Sequence, residues 1–401
     1  MKIKQHGRQS VSIIGGSAAG FFTGCVLAQK GMEVKIFEAA ERLDPTPRSL
    51  IVTSRMRGLL GPAGEEAVVN EIRHFELFAN GYVAKISLER PDLVIERARL
   101  IRSLATQAES HGTEVHFGRR FTHLESNGKG LAFTIEQAKG KRREKVLTDT
   151  LVGADGAFSR VARNAGWPAQ PTVPLIQAVV DLPEDLALDT TRVWFLPEDT
   201  PYFYWLIPES PKRGVLGLIG EDGKQARRNL ERFLRARNFT SVEFQAARIP
   251  VYQGWTPIRR KVGDGQVYLV GDAAGHVKVT TVGGIVTGFQ GAIGVAEAIL
   301  NNGFSRKLRH LRHELGLHLL IRRALHNFAQ ADYVRLLKLL NPQAQRSLST
   351  FNRDEVDRLL WRTLISQPRL LLFGVRALLG SNPFNLPARY LPSGSVQSDA
   401  S

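Results

Sequence analysis

Six residues between an apolar strand and a small-residue helix constrain this chain more than any other segment: Gly15-Gly16-Ser17-Ala18-Ala19-Gly20. Their spacing fits the G-x-G-x-x-G dinucleotide fingerprint, with Ser17 at the middle glycine. Residues 11–14 read as a buried strand, the stretch to about Gly31 as a helix, and Glu33–Phe37 as a second strand. Short connections make that β-α-β unit parallel. Gly15 permits the tight turn and Gly20 lets helix and strand pack closely. The helix N-terminus then presents free N–H groups and the positive end of its dipole to a pyrophosphate. Ser17 is small enough to keep that approach open, and Gly16, Ala18 and Ala19 complete the candidate cradle. Glu38 follows eighteen residues after Gly20, placed to accept both hydrogen bonds of a ribose diol.

Two later segments point to a flavin. Residues 152–161, VGADGAFSRV, have the form G-A-D-G-x-x-S-x-V around Asp155. Residues 267–270 read as a buried strand and run into Gly271 and Asp272. A loop through Gly283, Gly284 and Ile285 then leads into a helix. A carboxylate at a strand end can bind ribityl hydroxyls. A second helix N-terminus can face the N1–C2=O edge of an isoalloxazine, which becomes negative on reduction. No histidine, tyrosine or cysteine in the motifs is placed for covalent attachment, so the expected cofactor is non-covalent FAD.

At 401 residues, two or three structural units are expected. The fold class is α/β. Residues 1–75, 96–170 and 251–300 form a discontinuous Rossmann-like FAD domain, and 76–95 with 171–250 form an α+β substrate domain on a mostly antiparallel sheet. Residues 301–392 form a helical region, and 393–401 a disordered tail. Leu131–Gln137, a basic turn and residues 146–151 read as a hairpin.

Here the chain resembles a known family. Residues 271–285, GDAAGHVKVTTVGGI, are similar to the G-D-A-A-G-x-V-K-P-T-T-G-G-G-I phrase of the geranylgeranyl reductase family, within the p-hydroxybenzoate hydroxylase fold. They differ at Val279 and Val282. Residues 95–104, IERARLIRSL, resemble the family's R-x-x-L-x-x-x-L helix start, which maps a flavin-nucleotide contact onto Arg97; Arg48 lies near another cofactor-contacting arginine of the family, or on the surface. Residues 201–208, PYFYWLIP, resemble the family strand Y-x-W-x-F-P and also the W-x-W-x-I-P signature of flavin-dependent halogenases. The resemblance implies that Phe203, Trp205 and Ile207 line a substrate channel, unless the strand is plain core. It implies reduction of carbon–carbon double bonds in a polyprenyl or similar hydrophobic substrate, with NADPH or a ferredoxin-like protein as transient donor. The alternatives are a flavin monooxygenase or halogenase acting on an aromatic or apolar small molecule, and a lipid-binding flavoprotein without turnover.

Single residues divide less sharply. Tyr204 and Tyr202 are candidate proton sources, although strand alternation puts Tyr204 opposite Trp205. His276 lies near the isoalloxazine, caps a helix or is exposed. Cys25, the one cysteine, reads as a packed core thiol. Lys85, the one lysine between Gly61 and Pro91, is the residue a halogenase could use. His310, His313, His318 and His326 lack matching carboxylates, so no metal site is expected.

The formal charge is +16, and residues 306–376 alone hold 14 Lys and Arg against 5 Asp and Glu. Such a surface suits an acidic redox donor, an anionic membrane or simple solvation, and no nucleic-acid motif accompanies it. Residues 336–340, 356–365 and 369–379 alternate apolar stripes with arginine or lysine, as helices do on a bilayer or over a substrate channel. The N-terminus has no secretory pattern and no apolar stretch is long enough to span a bilayer, which predicts a cytoplasmic protein, either free or peripheral on the inner face of the membrane.

Overall fold

The structure, a computed structural model, describes residues 10–126 and 130–340, together with 345 and 349. Residues 356–365 and 369–379 and the tail 393–401 lie outside the described residues.

A six-stranded sheet carries the nucleotide motifs. Its order is Arg259–Val262, Gly265–Leu269, Thr150–Gly153, Ser10–Ile14, Glu33–Phe37 and Glu114–His116. Every neighbouring pair is parallel except the first. Val11, Ile13 and Val152 face the helices Ala18–Ala28, Arg97–Ser110 and Ile285–Leu300, in one buried cluster with Phe21, Leu100 and Phe289. Ile14, Leu151 and Leu269 face the other way. There they meet Phe121, Phe133 and Ile135 of a three-stranded antiparallel sheet, Arg119–Ser126, Leu131–Gln137 and Arg143–Thr148. The period of two along each strand buries both faces.

The expected hairpin forms, but its second strand stops at Thr148. Residues 150–153 belong to the six-stranded sheet, and the Asp149 carboxylate between them accepts from Ser10 N–H and Oγ at 2.9 Å each. That clamp switches the chain from one sheet to the next.

An eight-stranded sheet forms the second layer, in the order Ser241–Pro250, Thr172–Asp181, Arg213–Ile219, Tyr204–Ser210, Thr190–Trp194, Val68–Ala79, Tyr82–Glu96 and Ser49–Val52. It is antiparallel except between Thr190–Trp194 and Val68–Ala79. The sequence reading missed the helix Gly223–Ala236. Asp222 caps it through Gln225 N–H, and Ala226, Leu230, Phe233 and Leu234 bury against the outer sheet face. Two further helices, Arg306–His326 and Gln330–Leu339, follow. Among the described residues no helix is long and apolar enough to cross a membrane.

Candidate active site

The fingerprint loop is built as its glycines demand. Gly15 adopts φ +109°, and a β-carbon there would lie 2.6 Å from the Ala154 carbonyl oxygen. One on Gly20 would lie 2.1 Å from the Gly15 oxygen. Ser17 does more than fit: it caps the helix by accepting from Gly20 N–H at 3.1 Å and donates to the Ala154 oxygen at 3.0 Å. The cap occupies the Gly20 donor and leaves the Ala18 and Ala19 N–H groups at the helix start for a ligand.

Glu38 closes the loop from the second strand. Its carboxylate accepts from Gly16 N–H at 2.6 Å and Ala40 N–H at 2.8 Å, which fixes it and leaves lone pairs for a diol. Gly15, Gly16, Ser17, Glu38, Arg97 and Asp155 line one cleft of about 460 Å³, within the range of cofactor sites. The cleft also receives Arg42, Arg119, Arg120 and Arg160, which the sequence reading did not single out. Asp155 meets Ser159 Oγ at 2.5 Å and the N–H groups of Arg160 and Val161. Its main task in the fold is to secure the short helix Arg160–Asn164, and burial raises its pKa.

A second charged group forms where the two sheets approach. Asp272 sits on the turn Gly271–Ala274 between Arg48 and Arg97. Burial pushes the Asp272 pKa up, and the two arginines oppose that shift. Burial, then Arg97, pushes Arg48 down to about 10, with Asp272 opposing. Arg48 is half-buried, not a surface side chain, and its Nε is enclosed without a hydrogen-bond partner. Gly284 starts the helix Ile285–Leu300 beside this group, and a β-carbon on it would lie 3.2 Å from Asp272 Oδ1. Gln170, also missed, holds the turn by donating to the Asp272 and Ala273 oxygens at 3.1 and 2.6 Å. These residues fit FAD: a glycine cradle that a side chain would fill, a ribose carboxylate, and a partnerless arginine nitrogen.

His276 is neither exposed nor a helix cap. It is 1% exposed, stacks on Trp255 at 6.0 Å between ring centroids, and has no partner at either ring nitrogen. Gly291 leaves its space, since a β-carbon there would lie 2.0 Å from Nδ1. Burial keeps the imidazole neutral, pushing its pKa down to about 3.

The aromatic strand splits by parity. Trp205 and Ile207 join one buried cluster with Tyr202, Val277 and Val282, and Phe203 packs on its edge. Trp205 is itself 7% exposed. Tyr204 lies on the opposite face, stacked on Phe233 at 4.4 Å, with its hydroxyl donating to Asp199 at 2.9 Å. Burial raises its pKa further. Lys85 is exposed, on a strand facing Glu76. Of the two valines that depart from the family phrase, Val279 packs on Tyr252, Leu311 and Leu315. Val282 packs in the Trp205 cluster with φ +52°, a left-handed conformation that costs an L-residue roughly 1–2 kcal/mol.

A mostly parallel six-stranded sheet joined to a curved eight-stranded sheet, with the fingerprint, Glu38, Asp155 and Asp272 in this arrangement, defines an FAD-dependent oxidoreductase of the p-hydroxybenzoate hydroxylase type. Residues 8–302 match the FAD binding domain family, and the chain belongs to it. It is 27% identical to the digeranylgeranylglycerophospholipid reductase of Methanococcus vannielii over 69% of this chain and 72% of that one. It is 26% identical to the geranylgeranyl diphosphate reductase of a Synechocystis strain over 73% and 76%. The crystal structure of a geranylgeranyl bacteriochlorophyll reductase-like protein from Thermoplasma acidophilum superposes with TM-score 0.75, 16% identity, and coverage of 92% of this chain and 100% of that one. The flavin-dependent halogenase CmlS gives 0.65 at 17% identity, covering 92% and 72%. These structural likenesses concern the fold.

Proposed function

We propose that the protein hydrogenates carbon–carbon double bonds of a polyprenyl or similarly apolar substrate. The observation that carries this reading is the apolar contact between the substrate sheet and the flavin loop, Trp205 and Ile207 against Val277 and Val282. The names of the reductase relatives support the same substrate class.

Bound FAD, once reduced, supplies the hydride. The chain's own residues bind and orient. Ala18 and Ala19 N–H groups take the pyrophosphate, Glu38 the ribose, and Asp272 the ribityl hydroxyls, with Arg48 and Arg97 balancing its charge. Trp205, Ile207 and Phe203 exclude water and position an alkene that offers few polar handles, so proximity supplies much of the rate. Tyr202 lies in the same cluster and is a candidate proton source.

One nucleotide-binding β-α-β unit was found in the sequence, so NADPH acts as a visiting donor or gives way to an acidic ferredoxin-like protein drawn by the +16 charge. That same charge would favour an anionic membrane surface, where a lipid substrate resides. Anaerobic mixing of the reduced protein with a geranylgeranyl lipid tests the reading. Flavin absorbance should return faster with the lipid than without it; equal rates would count against the substrate class.

A further inference from the structure

The match to the FAD family ends at residue 302, yet the helix Arg306–His326 beyond it grips the flavin loop. Val279 packs on Leu311 and Leu315. One turn on, His318 Nδ1 and Thr280 Oγ1 are 2.7 Å apart, and the histidine is 2% exposed. Leu311, Leu315 and His318 recur at helical spacing, so one face of the helix makes both contacts. The loop is closed at its base, where Lys278 N–H donates to the Gly283 oxygen at 3.1 Å. Holding Thr280 therefore holds the approach to Gly284, whose missing β-carbon adjoins Asp272.

The same helix reaches the arginine side of the site. Glu314, one turn before His318 and 4% exposed, lies 4.0 Å from Arg55. Gln290 bridges them: with its amide oriented to suit both, its oxygen accepts from Arg55 at 2.7 and 2.9 Å and its nitrogen donates to Glu314 at 3.3 Å. Arg55 starts the helix Arg55–Leu60, shortly after the strand Ser49–Val52 into which Arg48 leads. Apolar side chains at positions 314 and 318 would pack without the desolvation cost that these polar groups carry.

We propose that His318 is a positioning residue for the flavin: its hydrogen bond to Thr280 sets the flavin loop against the Asp272 turn, which makes the helix Arg306–His326 part of the cofactor site. The inference rests on the flavin reading of that loop.

Three single variants and one double variant test it. Thr280→Val removes the hydroxyl at similar size, Thr280→Ser keeps it, and His318→Leu removes the partner. FAD is titrated into the flavin-free full-length proteins, with Tm measured alongside. Thr280→Val and His318→Leu should each weaken FAD binding about fivefold or more, while Thr280→Ser stays within about twofold of wild type. The double variant should bind no more weakly than the weaker single, because both changes remove one bond. If His318→Leu does not fold, the two threonine variants decide. Wild-type affinity in Thr280→Val, a serine variant as weak as the valine one, or losses that add in the double variant overturn the inference and leave the flavin reading standing. A wild-type protein that takes up no FAD would remove the flavin reading, and this inference with it.

Discussion

Trp205 and Gly217 face each other across adjacent antiparallel strands, and the indole takes the space that a β-carbon on Gly217 would need. That carbon would lie 2.6 Å from Trp205 Cζ2, 2.6 Å from Gln177 Cβ and 2.8 Å from the Ile176 oxygen. Gly217→Ala should therefore overpack the sheet at a cost of about 1–3 kcal/mol. A fall in Tm of several degrees is expected; an unchanged Tm would mean that the indole has room to turn aside.

Trp205→Ala tests the opposite change. Removing a side chain that is 7% exposed should cost stability, by about 3–5 kcal/mol. The proposed role adds a second effect: turnover of a prenyl substrate, per folded FAD-loaded molecule, should fall at least about tenfold. Normal turnover in that fraction would assign Trp205 to the core alone.

Asp272→Ala should weaken FAD binding by roughly tenfold to a hundredfold, as loss of charge-assisted bonds of about 1.5–3 kcal/mol implies. Equilibrium titration of the flavin-free protein measures this. Wild-type affinity in the variant would remove Asp272 from the ribityl site.

His276 gives a pH dependence with a definite sign. Its pKa falls from 6.5 to about 3 in the folded chain, so below pH 6.5 the unfolded chain takes up a proton that the folded one refuses. The stability contribution is present above that pH and is lost as pH falls towards 3, by about 1.4 kcal/mol per pH unit. His276→Leu should lose less stability than wild type over this window in denaturant melts. Parallel curves would show that the imidazole is protonated in place.

The features most legible in the sequence are those written in local spacing. Gly15, Gly20 and Glu38 sit where a turn, a close packing contact and a strand end require them, and Asp272 is anchored by the strand before it. The side-chain parity of Tyr204 and Trp205 was also readable, since it follows from the strand period. What stayed hidden depends on tertiary partners. Gln170 reaches the Asp272 turn from over a hundred residues away, and nothing near it marks the contact. Arg119 and Arg120 enter the cleft because their strand covers the nucleotide sheet. The helix Gly223–Ala236 lies among strands, and its apolar positions at Ala226, Leu230 and Phe233 were overlooked within the surrounding alternation. His276 has an address only because Gly291 leaves a place for it.

Product mass distinguishes hydrogenation of the lipid from its oxygenation. The FAD-loaded protein is reduced, incubated with a geranylgeranyl lipid, exposed to air in a parallel sample, and the extracted lipid is weighed by mass spectrometry. A gain of two hydrogens for each double bond reduced is expected in the anaerobic sample, without oxygen incorporation in the aerated one. A lipid that returns unchanged from the anaerobic sample, or that gains oxygen on aeration, would contradict it.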